Sequence, residues 1–537
     1  LEERKYEEKY KIMKKHIWEY IKNVELVCFG CIIFGIIILL IFGGGQEYKC
    51  KLMVDYSNSE LLILGLGLGI ILSLILTKCK DRLLPKMDVL ENKFKYVLII
   101  YFLILMYISY NVIFQPGWDA GVVVEASRKM VDGELDAYNN YYSLHPNNLL
   151  ITCIYAFVFK VNCAYGIFNG ENEIMALVSF LCLIQTITAY VVFKVMQDII
   201  PSSYAVWITW GVYLVFMGAV PWILVPYTDS PVVIIPIAIF ALYLQQKKEK
   251  RIRNWIWIGC LMFAGYYIKP QTVIIGIAII LIEAIKSLNR NKTENLIFLK
   301  KISVCIIAFG ICGNVHQNFI IPNTGFELNK ELELGAEHMF MMGQNAEQNG
   351  VYSQDDVMFS MSIATKKERK EANKEKAKER ILTMLEENTF VNHIQKKALV
   401  NFNDGTFAWG KEGEFIKTEY SNRNQLISPF LKKVIYPSGE YRHYISTIKQ
   451  MMWLVILFSG MGIVLLLKSN FPKKEEIVII SLAVIGMFLF VMLFEARARY
   501  LYTYIPFLVI LASIGYCKIR ELTIKIYTSI KESKNNG

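Results

Sequence analysis

Residues 24–43 read VELVCFGCIIFGIIILLIFG, and residues 477–494 read IVIISLAVIGMFLFVMLF. Each is an apolar run of about the length that a helix needs to cross a hydrocarbon core of ~30 Å. Comparable runs recur along the 537 residues, which are 54% hydrophobic, 13% aromatic and only 20% charged. With a mean hydropathy of +0.36, the chain has too little polar surface to clothe several soluble domains. The fold class is therefore an all-α polytopic membrane protein. A soluble enzyme, a nucleic-acid-binding module, a disordered scaffold and a disulfide-stabilised secreted domain are excluded. The 11 cysteines lie almost entirely in or beside apolar runs. Cys28 and Cys31 have redox-motif spacing but sit within a span, where they read as small hydrophobes.

The net charge of +11 serves first to orient the spans, because Lys and Arg mark cytoplasmic loops. Basic clusters occur in 1–23 (Arg4, Lys5, Lys9, Lys11, Lys14, Lys15, Lys22), 78–95, 246–253, 286–301, 468–475 and from Lys518 onward. Placed on one side, they make 1–23 a cytoplasmic amphipathic N-terminus ahead of a retained first span, with no cleavable signal. Spans follow near 24–43, 60–77, 96–114, 174–196, 203–220, 231–245, 254–268, 271–287, 302–321, 449–468, 477–495 and 501–518. That is roughly twelve, with both termini inside. Parity leaves the run 147–160 with both ends outside, and its 14 residues are too few to cross.

The expected organisation is two extra N-terminal spans and a loop in 24–95 and a transmembrane module over 96–321 with an external loop at 115–173. A mostly helical external soluble segment at 322–448, C-terminal spans over 449–518 and a cytoplasmic tail at 519–537 complete it. The charge run from Lys366 to Arg380 reads as a solvated helix face with i,i+4 ion pairs. Gly65, Gly67 and Gly69 lie inside the second span, where small residues serve helix packing. No internal repeat supports an inverted-repeat transporter.

This topology delivers several ionisable residues to the outer ends of spans, where such groups are functional candidates by default. Asp119 follows the third span, and Glu125 and Arg128 come six and nine residues later. Asp229 sits in Pro226-Tyr-Thr-Asp-Ser-Pro231, Lys269-Pro270 interrupts a long apolar stretch, and Arg497 and Arg499 precede the last span. Each has a plainer reading too: a helix cap for Asp119, a helix salt bridge for Glu125 with Arg128 or Lys129, a structural partner of a buried acid for Lys269, and headgroup contact for the arginines. Carboxylates and cations on one outer surface suit transfer of a sugar from a lipid phosphate. A carboxylate deprotonates the incoming hydroxyl, and cations stabilise the departing phosphate.

The runs Phe114-Gln-Pro-Gly-Trp-Asp119, Glu125-Ala-Ser-Arg128, His145-Pro146-Asn-Asn, Tyr227-Thr-Asp229-Ser-Pro and Ile268-Lys269-Pro resemble the GT-C superfamily of polyprenyl-phosphate-sugar-dependent membrane glycosyltransferases. In pattern they look like the bacterial lipid A aminoarabinose transferases and the protein O-mannosyltransferases. The resemblance covers about 96–290 and returns at Arg497–Pro506. It implies a GT-C-type helix bundle with external juxtamembrane helices. It implies Asp119 as catalytic base and Asp229 as a second site acid. Lys269 and Arg499 would hold the donor phosphate, with Arg497 and His145 beside them, and Glu125, Arg128, Tyr227 and Tyr500 would support the acceptor. The chain departs from the pattern at Ala120, where many relatives carry a second acid, and at His145-Pro146, where they often have Lys-Pro. No cofactor is indicated, and metal binding is left open.

The expectation is thus an inverting glycosyltransferase at the outer face of a bacterial plasma membrane. It would use an undecaprenyl-phosphate monosaccharide as donor and an extracytoplasmic glycan or lipid as acceptor, such as a wall polysaccharide or teichoic-acid-type polymer. The alternatives are a lipid-linked saccharide flippase or transporter, and a polymerase or ligase with a lipid-diphosphate donor.

Overall fold

The computed structural model describes residues 2–43, 54, 56–133, 135–287, 291–409, 415–467 and 469–535. Lys468, loop positions 288–290 and the side chains of Arg4, Lys5, Lys9, Lys11, Lys14 and Lys15, all named above, lie outside the described set. The chain is helical nearly throughout. The first part comprises α1 (Glu2–Gly43), α2 (Asn58–Asn92), α3 (Phe94–Val112), the strand β1 (Phe114–Pro116), α4 (Trp118–Asp132), α5 (Asn139–Leu144) and α6 (Leu149–Tyr165). The bundle continues with α7 (Met175–Ile199), α8 (Ser203–Tyr213), α9 (Asp229–Val232), α10 (Ile234–Glu249), α11 (Arg253–Ile268), α12 (Ile274–Ser287) and α13 (Lys292–Val315). Then come α14 (Gly335–Gly343), α15 (Gln354–Met361), α16 (Lys366–Glu386), α17 (Phe390–Phe402), the strand β2 (Ile416–Glu419) and α18 (Ile427–Ile435). The chain closes with α19 (Arg442–Met461), α20 (Lys474–Leu493) and α21 (Ile505–Asn535).

Eleven helices among the described residues are long and apolar enough to cross a membrane, so this is an all-α polytopic integral membrane protein. The set differs from the expected twelve at three places. The expected span 203–220 is an 11-residue α-helix that passes into a π turn at Leu214–Gly218 before Pro221. The expected span 254–268 is a 16-residue helix closed by Lys269-Pro270, because proline at the next position ends a helix. The run expected to stop at 160 continues to Tyr165, and with the preceding turn it makes a 20-residue segment of spanning length. Lys160 is exposed and does not interrupt the helix; the left-handed Gly166 does, at φ 59°.

The loops sort to two ends of the bundle. At one end Tyr204 donates to the Leu76 carbonyl at 2.5 Å, Gln197 donates to Glu91 at 2.6 Å, and Lys248 pairs with Asp198. There Lys247 reaches Glu475 at 2.9 Å and Glu476 at 2.7 Å, and Lys286 reaches Glu475 at 2.8 Å. At the opposite end lie the turn after α3, α4 to α6, and 322–448. Both ends of α6 attach there. Asn148 donates to the Tyr141 hydroxyl at 2.6 Å and Ser127 to the Thr152 carbonyl at 3.1 Å. Beyond its C-terminus Glu173 pairs with Arg128 and Glu171 with Arg423.

The segment 322–448 is built into that end and not held apart from it. β2 pairs antiparallel with β1, matching Phe114 to Glu419 and Gln115 to Thr418, with an irregularity at Pro116. Proline cannot donate to a ladder, and the next amide, that of Gly117, donates to the Phe415 carbonyl at 2.7 Å. Within α16 the exposed pairs are i,i+3, as in Lys374–Glu371 at 2.9 Å. The face bearing Arg369, Asn373 and Ala377 is buried. Arg369 donates to the carbonyls of Ser360, Glu331 and Ile363, and Arg380 binds Asp356. The run is therefore not solvated all round, because buried guanidinium groups find carbonyl and carboxylate partners inward.

This region grips the chain just after α20. The Ala496 amide donates to the Gly350 carbonyl at 2.7 Å, and Gln344 donates to the Leu493 carbonyl at 2.8 Å. Gly343 lies so close that a Cβ would meet the Phe494 and Leu493 carbonyls at 2.6 and 2.7 Å. Gly343→Ala should cost about 1–3 kcal/mol of overpacking, read as a lowered unfolding temperature of the purified protein. Gly67→Ala, where a Cβ meets nothing within 4 Å, should leave that temperature unchanged or slightly raised. Equal effects would contradict the close approach.

Candidate active site

Asp229, Lys269 and Arg499 meet although 40 and 230 residues separate them. α9 and α10 carry the chain from Asp229 to Lys247, and α11 brings it back from Arg253 to Lys269, so the hairpin closes where it opened. Pro270 halts α11 there and leaves Lys269 extended at φ −154°. Arg499 arrives on the 3-10 turn Ala498–Tyr504 that leads into α21. Lys269 binds one Asp229 oxygen, and the Arg499 Nε lies 3.1 Å from the other. The side chains of Asp229, Lys269 and Arg499 are only 4%, 8% and 6% exposed, so each charge depends on the others. Aromatic faces complete the enclosure. The Lys269 ammonium is 4.6 Å from the Tyr500 ring centre, and the Arg499 guanidinium is 5.1 Å from that of Trp222.

A second carboxylate, Glu495, is buried beside them. It accepts from the Arg497 Nε at 2.8 Å and from the Tyr500 hydroxyl at 2.7 Å. Burial pushes its pKa up, but Arg497, Tyr500 and Arg499 outweigh that and hold it below the usual carboxylate range. Lys269, Arg497 and Arg499 gather round Asp229 and Glu495, so the cluster brings three cations to one place. Arg497, with 21% of its side chain exposed, is the most open of the three.

Asp119 differs from both buried acids. It is exposed in the first turn of α4, where the helix dipole favours a negative charge. Its Oδ2 accepts from the Tyr227 hydroxyl at 3.1 Å, and among the described residues it has no ion pair. Burial and the Asp119 charge push the Tyr227 phenol far up, so it stays protonated as the donor. The same ring lies 5.7 Å from the Arg499 guanidinium and 6.0 Å from the Lys269 ammonium. Tyr227 thus stands between Asp119 and the cations. Trp118, immediately before Asp119, has φ 50°, a conformation that costs a bulky residue about 1–3 kcal/mol and that concentrates at functional sites.

The remaining candidates divide. His145 lies in the Asp119 field, with its ring 5.1 Å from Tyr141; burial lowers its pKa and Asp119 partly opposes this. Glu125 and Arg128 are not brought into the cluster. Glu125 pairs with Lys417 at 3.0 Å, and Arg128 with Glu173. They are salt bridges, as the plainer reading had it, but to other segments and not along α4. Asp229 is a neutralised acid within a triad, not an open one. Glu495, Trp222, Tyr141 and Asn148 were not singled out from the sequence. Glu495 begins the acid–base alternation Glu495-Ala-Arg-Ala-Arg499 and Asn148 ends His145-Pro-Asn-Asn148, so both carried a signal. Trp222 and Tyr141 carried none.

Chemically, the arrangement offers an open carboxylate able to accept a proton, with a tyrosine ring dividing it from a positive, aromatic-walled cluster able to neutralise an anion. No group of three His, Cys, Asp or Glu that could hold a metal occurs among the described residues. Residues 57–518 match the family described as conserved hypothetical integral membrane protein, and the chain belongs to that family. No curated protein and no solved structure matches it.

Asp229→Asn removes the carboxylate that the buried Lys269 and Arg499 share. It should lower stability by about 3–5 kcal/mol, and Asp229→Asn with Lys269→Met should recover part of the loss. Equal unfolding temperatures for the single and double variants would contradict the coupling. A second test concerns Lys397, which donates to the Gly343 carbonyl at 2.7 Å. Burial pushes its ammonium down to about 7, against the pull of Glu495. Between that value and the unfolded value of about 10.4 the folded chain binds fewer protons, so stability rises with pH over this window. Relative to Lys397→Met, wild type should gain unfolding temperature as pH is raised from about 7 to about 9; parallel profiles would contradict the buried ammonium.

Proposed function

We propose that this protein is an inverting glycosyltransferase that takes a monosaccharide from a polyprenyl-phosphate donor. The observation that carries the reading is that one tyrosine ring separates Asp119, which is exposed and has no ion pair among the described residues, from a cluster of three cations. A hydroxyl of the acceptor attacks the anomeric carbon of the donor sugar. The new C–O bond forms as the bond to the phosphate oxygen breaks, and its electron pair leaves on the phosphate. The hydroxyl proton passes to Asp119, the general base. Arg497, the most open cation, meets the departing phosphate, while Lys269 and Arg499 supply field from behind it. Tyr227 holds the Asp119 carboxylate in place through its hydroxyl.

The basic stretches 78–95, 246–253, 286–287 and 291–301 lie at the end away from this cluster. The positive-inside rule supports reading that end as cytoplasmic, and with it our proposal that Asp119 works at the external face of a bacterial plasma membrane with both termini inside. A nucleotide donor is scarce there, whereas a lipid-linked sugar is not. The acceptor is then an extracytoplasmic glycan, with wall polysaccharide or a teichoic-acid-type polymer as the leading class.

The test uses membranes containing the full chain, an undecaprenyl-phosphate-linked radiolabelled hexose and isolated envelope glycan. Asp119→Asn should lower transfer by about 10²–10⁴-fold, the usual worth of a general base, while retaining expression and donor binding. Transfer at the wild-type rate in this variant would overturn the assignment.

A further inference from the structure

Beside Asp119 the chain forms a groove of about 360 Å³, within the ~300–1,000 Å³ range of small-ligand sites. One wall is a single face of α4, made by Trp118, Gly121, Val122 and Glu125 at i, i+3, i+4 and i+7; the other is the start of β2, with Ile416 and Lys417. Gly121 shapes the floor, because a Cβ there would meet the Pro116 carbonyl at 2.7 Å. Asp119 lies one step round the helix from this face.

We infer that this groove is a saccharide site that holds a pyranose ring of the acceptor next to Asp119, an inference that rests on the glycosyltransferase reading. Three features select a sugar. Trp118 is 37% exposed and presents an apolar ring surface suited to the C–H face of a pyranose. It is held in its left-handed backbone conformation against Phe415, with ring centres 5.3 Å apart. Glu125 and Lys417, 3.0 Å apart and half-exposed, offer an acceptor and a donor at hydroxyl spacing, with no net charge that would favour an anion. A lipid chain finds a charged pair in its path, and a phosphate finds a carboxylate.

The groove is also tied to the charged cluster. Phe415 packs on Trp222 at 5.6 Å, and Trp222 carries the Arg499 guanidinium at 5.1 Å. The aromatic series Trp118, Phe415, Trp222 therefore fixes the groove relative to the cations, as a site joining two substrates requires.

Saturation-transfer NMR on the full-length protein in nanodiscs, with chitobiose, maltose and mannobiose at millimolar concentration as probes, tests this. At least one probe should receive saturation at its ring C–H protons. The signal should fall about tenfold in Trp118→Ala, as loss of a stacking partner implies. It should persist in Trp118→Phe and in Phe430→Ala, which removes an exposed ring elsewhere. No saturation of any probe, or equal signals in wild type and Trp118→Ala, would overturn the groove. The transfer assay separates this from the parent reading. Turnover whose acceptor KM is unchanged in Trp118→Ala overturns the groove alone, whereas sugar binding lost in Trp118→Ala without any turnover overturns the transferase alone.

Discussion

The structure turns on the carboxylate of Asp229, buried between Lys269 and Arg499. Three charges at such depth are tolerable only together, since removing one leaves the others uncompensated in a low dielectric. That requirement sets the geometry around it. α10 and α11 must close as a pair, Pro270 must stop α11 where Lys269 meets the acid, and the turn before α21 must bring Arg499 to the same point. Two cations share the one carboxylate, each at a different oxygen. Glu495 and Arg497 extend the cluster, with Arg497 its most exposed cation.

The segment 322–448 supports this cluster from above. Its strand β2 pairs with β1, directly before Trp118 and Asp119, while its 343–350 turn holds the backbone leading to Glu495. Asp404 organises another tight turn, accepting from Thr406 and from the Ala408 amide, with Phe407 and Ala408 both at positive φ. The Phe407 carbonyl then accepts from the Trp222 indole at 2.9 Å, and Trp222 bears Arg499. The surroundings of Asp119 and of the cations are thus both contacted by described parts of 322–448. The family match, residues 57–518, includes this segment within its bounds.

Much of this was legible in the residues. Apolar run length identified the class, and charge clustering grouped Lys247, Lys286 and Glu475 with the same end before any contact was known. The ionisable residues near span ends included four that converge, Asp229, Lys269, Arg497 and Arg499, because a charge in an apolar setting has few reasons to be there other than a partner. What was not legible depends on distant contacts. That Asp229 neutralises Lys269 and Arg499 requires the α10–α11 closure, and that Glu125 pairs with Lys417 requires the β1–β2 pairing, neither of which has a local signature. The run 147–160 extends further than its apolar residues indicate: Lys160 lies on an exposed face, and the left-handed Gly166 ends the helix instead. The buried face of α16 was hidden for the converse reason, since Arg369 and Arg380 have the composition of surface residues but bind carbonyls and Asp356 inward.

On the proposed reading, the cation cluster behind Tyr227 receives a lipid phosphate while Asp119 faces the sugar attached to it. A cryo-electron microscopy map of the protein in nanodiscs with undecaprenyl phosphate tests it most directly. The account predicts phosphate density in hydrogen-bond contact with Arg497, at the Tyr500 end of the cluster and on the cation side of Tyr227. Density at the other end of the bundle, against Lys247 and Lys286, would contradict it.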